Sequence, residues 1–146
     1  MGRLTLPTSG MVYVDAQIVI YSTDNHPAYA TICAPLWQVI APAVIVSSEL
    51  TLLETLVAPI RSGNTQLALK RESLWIQPNT RLLPITQEIL KDAARLRATM
   101  PSLKTPDSIH AATALYHSCT LFITNDRGFR NVPGLPLMML DDVLMS

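Results

Sequence analysis

Short runs of apolar residues alternate along this chain with longer segments in which apolar positions recur every three or four residues. The short runs are typical of strands that are buried on both faces, and the longer segments are typical of amphipathic helices. The predicted strands are residues 11–14, 43–46, 81–85, 120–124 and 137–140. Because helices separate the strands, the pattern predicts an α/β fold, a three-layer α/β/α sandwich with a central parallel sheet of four to five strands.

Capping residues mark where the helices begin. Ser48, Asn64, Thr86 and Thr105 are candidate N-caps, and Pro106 suits the first position of a helix. Pro59 and Gly63 are expected to end the helix that follows the second strand. The predicted helices cover residues 49–60, 65–75, 87–99 and 106–117, with a further helix after residue 15 and two helical pieces between 28 and 39.

Length and composition indicate one domain. The chain has 146 residues, of which 49% are hydrophobic, and its eleven acidic and eleven basic side chains balance. A neutral chain does not bind nucleic acid through bulk charge, so any such partner must be held locally. We expect residues 1–10 to be a flexible extension and 11–146 the domain, with the native start at Met1 or Met11.

The sequence contains no targeting or membrane signal. No stretch approaches the roughly 18 consecutive apolar residues that mark a membrane span, and residues 1–10 lack the apolar core of a signal peptide. Cys33 and Cys119 fit neither a zinc motif nor a disulfide framework. We therefore expect a cytoplasmic protein with reduced thiols.

The chemistry must come from carboxylates, because the three histidines form no HExxH or triad spacing. Asp15 follows the first predicted strand, Asp126 follows the fourth, and Asp107 opens the last long helix. Ligands of α/β folds bind outside the carboxyl ends of the strands, so we expect these acids to converge there. Each acid also has a purely structural explanation, since the N-terminal end of a helix favours negative charge.

A fourth acid lies on the helix after the second strand. Glu54 is in mid-helix beside Leu53 and Val57, whereas Glu49 lies in the first turn, where the helix dipole accounts for it. Periodicity alone does not choose between the two. Carboxylates crowded into one cleft repel each other unless a cation offsets their charge, and hard oxygen ligands suit Mg²⁺ or Mn²⁺. Such an ion would support phosphodiester hydrolysis.

The segments 14–15, 47–54, 105–114 and 124–129 resemble, in order and spacing, the successive motifs of PIN domains. With the chain length, the match over residues 11–140 resembles the VapC toxins of type II toxin–antitoxin pairs. The resemblance selects Glu54 over Glu49. It implies that Mg²⁺ or Mn²⁺ is held by four catalytic acids, which are Asp15, Glu54, Asp107 and Asp126. It also implies that the hydroxyl of Thr124 plays a supporting role near the fourth acid.

The resemblance also implies a function and partners. A PIN-domain toxin is a metal-dependent endoribonuclease that cleaves RNA, forms a homodimer and is held by a cognate antitoxin. Arg127 and Arg130 would then bind RNA phosphates, the alternative being solvated turn residues. His110 is either a neighbour of the metal or a packed histidine.

The first motif departs from the family pattern. Ala16 and Gln17 stand where the family usually has a small hydroxyl residue followed by Asn or Ser. Polar groups beside metal ligands orient them, so their loss weakens metal positioning. The departure motivates an alternative function, a catalytically weakened PIN-fold binding or assembly module.

Overall fold

A parallel sheet forms the centre of the fold. The computed structural model describes residues 2–146, and within them are five strands: β1 (Gly10–Val14), β2 (Ala43–Ser48), β3 (Thr80–Leu83), β4 (Leu121–Thr124) and β5 (Leu137–Met139). They pair in parallel in the order β3-β2-β1-β4-β5. The predicted α/β fold with a central parallel sheet is confirmed, and the bounds of the strands lie within two residues of the predicted ones.

Seven α-helices flank the sheet in the described part of the chain, together with three short 3₁₀ turns. The helices are α1 (Ala16–Thr23), α2 (Ala30–Cys33), α3 (Leu50–Ser62), α4 (Thr65–Ser73), α5 (Gln87–Thr99), α6 (Thr105–Tyr116) and α7 (Leu140–Met145). The 3₁₀ turns are Ala34–Gln38, Leu74–Ile76 and Arg127–Phe129. No sequence pattern predicted α7, which is only six residues long and follows β5 directly.

Two of the four predicted helix caps are present, and two are displaced by one residue. The side chains of Asn64 and Thr86 accept hydrogen bonds from backbone N–H groups three residues further on, as N-caps do. The hydroxyl of Ser48 accepts a hydrogen bond of 3.1 Å from the backbone N–H of Leu50, but Glu49 occupies the cap position of α3. The predicted cap Thr105 is instead the first residue of α6, and Lys104 occupies the cap position without a side-chain bond. The prediction was one residue late because Pro106 is tolerated at the second position of this helix.

Pro59 does not end α3, contrary to the prediction. A proline in a helix cannot donate to the carbonyl four residues earlier, which here belongs to Thr55. Arg71 of α4 supplies the missing donor, since its Nη1 lies 2.9 Å from the Thr55 carbonyl oxygen. The helix therefore continues to Ser62 and ends at Gly63, whose φ of +72° places it in the left-handed region that favours glycine.

Both faces of the sheet are buried. Val12 and Val14 of β1 lie in one apolar cluster with residues of α1, whereas Tyr13, which points to the opposite face, lies in a second cluster with residues of α6. This alternation explains why the strands read as continuous apolar runs. Cys33 and Cys119 are both free and buried.

The first residues of the described chain form no helix or strand before Gly10, where β1 begins. Leu4 is nevertheless buried in the cluster that contains Val12 and Val14. The flexibility expected of residues 1–10 stays a prediction, and Met1 lies outside the described residues. No helix between residues 2 and 146 is both long enough and apolar enough to cross a membrane.

Candidate active site

A cavity of about 530 Å³ opens at the carboxyl ends of β1 and β4. Four acidic side chains line it, and each comes from a different segment of the chain. Asp15 follows β1, Asp126 follows β4, Asp107 lies in the first turn of α6, and Glu54 projects from α3. The parallel topology therefore brings together all four acids that the sequence analysis singled out.

Asp15 is the most buried of the four acids. It is the N-cap of α1, where one carboxylate oxygen accepts a hydrogen bond of 3.3 Å from the backbone N–H of Ile18. The other oxygen accepts a hydrogen bond from the Thr124 hydroxyl. Burial raises the pKa of Asp15 to about 6, and the charge of Asp107 contributes in the same direction.

Thr124 connects the first and fourth acids. Its hydroxyl donates to Asp15 and accepts a hydrogen bond of 3.0 Å from the backbone N–H of Asp126. Thr124 is fully buried at the end of β4, so the strand holds this hydroxyl in one position. Its contacts fit the supporting role that the resemblance implied.

Asp107 lies within electrostatic reach of the other acids. Partial burial raises its pKa, and the negative charges of Asp126 and Glu54 raise it further. His110, one turn further along α6, acts in the opposite direction. The carboxylates therefore form one cluster of interacting negative charges, as the sequence analysis expected of acids that meet in a cleft.

The side chain of Glu54 lies in the cavity, whereas that of Glu49 lies outside it. Glu54 lines the cavity, and its Oε1 lies 2.6 Å from Nε2 of His110. Glu49 accepts a hydrogen bond of 3.3 Å from the backbone N–H of Ile85 at an exposed position. The geometry is thus consistent with Glu54 as the acid of α3 that takes part in the site.

His110 is buried, and both of its ring nitrogens have partners. Nε2 contacts Glu54, and Nδ1 lies 2.6 Å from the hydroxyl of Tyr13. The sequence alone leaves the role of His110 open. The spacing of three residues from Asp107 was the available signal, because residues three apart on a helix lie on the same face.

The two candidate RNA-binding arginines differ in position. Arg127 lines the cavity directly after Asp126, whose Oδ1 accepts a hydrogen bond of 2.8 Å from the N–H of Gly128. Arg130 is not among the described residues that line the cavity, and its Nη2 lies 3.5 Å from Asp142. A role in binding RNA stays a prediction for both residues.

The lining includes residues that the sequence analysis did not select. Asn125 accepts a hydrogen bond of 3.0 Å from the backbone N–H of Asp141 in α7 and lies 3.4 Å from the hydroxyl of Tyr21. Asn125 thus ties the edge of the cavity to the unpredicted helix α7. Ala16 and Gln17, the departures from the first motif, also line the cavity.

The donor set suits a hard divalent cation. Within residues 2–146 no three acidic, histidine or cysteine side chains lie close enough to hold a metal ion together. Mg²⁺, however, usually takes only one or two carboxylates directly and keeps several water molecules. Burial, and to a smaller extent neighbouring negative charge, raises the pKa values of Asp15 and Asp107, so their ionised forms are unfavourable in the cavity unless a cation offsets the charge. The residues present therefore fit such an ion in their chemistry.

Comparison with known proteins identifies related sequences and folds. The PIN domain family matches residues 12–135 of this chain. None of the curated proteins matches it. Among solved structures, VapBC-1 from nontypeable Haemophilus influenzae gives a TM-score of 0.71 at 19% identity, covering 90% of this chain and 98% of that one.

Two further structures show the same likeness. VapC20 of Mycobacterium tuberculosis, described as a sarcin-ricin loop cleaving toxin, gives a TM-score of 0.70 at 16% identity, covering 84% of this chain and 95% of that one. A toxin–antitoxin complex from Klebsiella pneumoniae gives a TM-score of 0.65 at 24% identity, covering 88% of this chain and 96% of that one. At these identities the likeness shows a shared fold.

Proposed function

Because this chain belongs to the PIN domain family, we propose that it is a metal-dependent endoribonuclease that hydrolyses phosphodiester bonds of RNA. The main support is that four carboxylates far apart in the sequence line one cavity. Their mutual repulsion is tolerable if the cavity holds a cation during function.

In this proposal Asp15, Glu54, Asp107 and Asp126 hold Mg²⁺ or Mn²⁺. A divalent ion bound there supplies Lewis-acid chemistry for attack of water on the phosphodiester. Thr124 keeps Asp15 in position through the hydrogen bond between their side chains. Arg127, at the rim, binds a phosphate group next to the scissile bond.

We further propose that the protein is the toxin of a toxin–antitoxin pair. The similar structure from Klebsiella pneumoniae is a toxin–antitoxin complex, and VapC20 of Mycobacterium tuberculosis is described as a toxin. Leu53 and Ile60 of α3 are 63% and 67% exposed, and with Val57 they form an apolar stripe on the surface. An apolar stripe of this kind is suited to being covered by a protein, either a cognate antitoxin or a second copy in a homodimer. Both partners, and a cytoplasmic location, belong to this proposal.

RNA cleavage tests the proposal directly. The purified chain is incubated with Mn²⁺ or Mg²⁺ and an RNA hairpin that has a single-stranded loop, because the structurally similar VapC20 is described as cleaving an RNA loop. The wild type should cut the RNA, and Asp15→Asn should not. Glu49→Gln is the matched control, since Glu49 caps the same helix that carries Glu54 but accepts from the backbone N–H of Ile85 and does not line the cavity, and it should cut like the wild type. Equal cleavage by wild type and Asp15→Asn would contradict the proposal.

The alternative is a PIN-fold module that binds or assembles without cutting. It is favoured by Ala16 and Gln17 in the cavity lining and by the lack, within residues 2–146, of three metal-ligating side chains close together. Calorimetry separates the two functions. A folded wild type that binds neither Mn²⁺ nor Mg²⁺ would favour the binding module.

A further inference from the structure

A chain of hydrogen bonds runs from the sheet to Glu54. The backbone N–H of Ser48, at the end of β2, donates to the hydroxyl of Tyr13 over 3.1 Å. That hydroxyl lies 2.6 Å from Nδ1 of His110, and Nε2 of His110 lies 2.6 Å from Oε1 of Glu54. The chain thus connects two strands of the sheet, α6 and α3.

The hydrogen-bonding capacity of each group sets the direction of the chain. The buried hydroxyl of Tyr13 accepts from the backbone N–H of Ser48, and its own hydrogen needs an acceptor, which Nδ1 of His110 at 2.6 Å supplies. A neutral imidazole whose Nδ1 accepts carries its hydrogen on Nε2. An ionised carboxylate only accepts, so Nε2–H donates to Glu54. Every member of the chain then has a partner of the right kind.

The base of this chain is rigid. Tyr13 is fully buried and its ring stacks on Phe122 of β4, with 4.9 Å between the ring centroids and an interplanar angle of 6°. His110 is 2% exposed and meets the Tyr13 ring edge-on. The side chain of Glu54 is 27% exposed and has three torsions of its own, so without a partner it would sample several rotamers.

We propose that His110 is a positioning residue that holds the Glu54 carboxylate in the cavity, with Tyr13 setting the orientation of the imidazole. The inference rests on the proposed function, in which Glu54 is one of the metal-binding acids. Helix α6 carries both Asp107 and His110. It therefore places Asp107 in the cavity directly and, through His110, holds Glu54 of α3 beside it. Partners of this kind, which orient metal-binding side chains, typically matter 10- to 100-fold for metal affinity or activity.

Two substitutions of His110 separate positioning from packing. The amide of Gln reaches the place of Nε2 and still donates to Glu54, whereas the shorter Asn ends near Nδ1 and loses that contact. His110→Asn should weaken Mn²⁺ binding, measured by calorimetry, about 10-fold or more and lower kcat with little change in KM. His110→Gln should recover most of the affinity, even where both variants have equally lowered melting temperatures. His117→Asn, at the end of α6, is the control for loss of a histidine.

A double-mutant cycle tests the route of the effect. In a Glu54→Gln background, His110→Asn should cause no further loss of Mn²⁺ affinity, because the group that it positions is already changed. If the two substitutions lowered the Mn²⁺ affinity additively, the proposal would be overturned. So would a wild type that binds Mn²⁺ no more tightly than His110→Asn does.

The hydrogen on Nε2 gives a test that needs no metal. Long-range ¹H–¹⁵N spectra of the metal-free wild type should show the Nε2–H tautomer of His110, and Tyr13→Phe should disturb it. A stable Nδ1–H tautomer would overturn the proposal. A wild type that neither binds Mn²⁺ nor cuts RNA would remove the proposed function and this role together, whereas normal binding and cleavage by His110→Asn would remove this role alone.

Discussion

Replacing Asp15 by asparagine should stabilise the metal-free protein at neutral pH. Asp15 is 5% exposed, and burial, with a smaller contribution from Asp107, raises its pKa from 3.8 to about 6. A carboxyl group that ionises more readily in the unfolded chain than in the folded one opposes folding once it is charged. A difference of about two pKa units corresponds to about 3 kcal/mol of unfolding free energy.

The penalty from Asp15 depends on pH in a defined direction. Below a pH of about 3.8 the carboxyl is protonated in both states, and the penalty is absent. As the pH rises to about 6, the folded state binds more protons than the unfolded state, so stability falls. Above that range the penalty is complete. Asparagine never carries the charge. The unfolding free energy of Asp15→Asn should therefore rise by about 2 kcal/mol relative to that of the wild type between about pH 4.5 and about pH 8.

Urea unfolding followed by circular dichroism measures this difference. Wild type and Asp15→Asn are unfolded in EDTA at both pH values, with Glu49→Gln as the control for an exposed acid. The free-energy gap between wild type and Asp15→Asn should widen at the higher pH, and the control should show no such change. Adding Mn²⁺ should stabilise the wild type more than the variant. A gap that is constant with pH would show that burial of this carboxylate carries no such penalty.

Three further predictions concern Asp107, Arg71 and the exposed stripe of α3. Asp107→Asn should abolish RNA cleavage but leave the EDTA-treated protein as stable as the wild type or more so at neutral pH, because it relieves repulsion with neighbouring acids; a lower melting temperature in EDTA would contradict this. Arg71→Ala should lower the unfolding free energy by about 2–3 kcal/mol, because it leaves the Thr55 carbonyl without a hydrogen-bond donor. Arg95→Ala, at an exposed ion pair, should lower it by less than about 1 kcal/mol. Equal losses for the two variants in urea unfolding would contradict this prediction. Ile60→Glu should reduce self-association or antitoxin binding, measured by light scattering and calorimetry, without changing the melting temperature, and unchanged association would exclude the α3 stripe as an interface.

The sequence pattern predicted the three acids that depend on topology. Asp15 and Asp126 directly follow strands of a parallel sheet, and Asp107 opens a helix, so their convergence follows from the rule that strand carboxyl ends share one edge. Glu54 was different, because a helix exposes several faces and periodicity did not separate it from Glu49. Family resemblance was needed to choose between them.

The remaining features depend on contacts between distant residues. Pro59 would end an isolated helix, and Arg71 of α4 supplies the donor to the Thr55 carbonyl that the proline lacks. His110 looked like one more packed histidine, because its partners Tyr13 and Glu54 lie 97 and 56 residues away. Such contacts leave no periodic signal in the sequence.

The account depends on a divalent cation being held between the four carboxylates. The most direct measurement is an anomalous difference map from a crystal of the wild-type protein grown with Mn²⁺. We expect a peak inside the cavity, within coordination distance of one or two of Asp15, Glu54, Asp107 and Asp126. A well-ordered cavity without such a peak, at a Mn²⁺ concentration that supports RNA cleavage, would contradict the account.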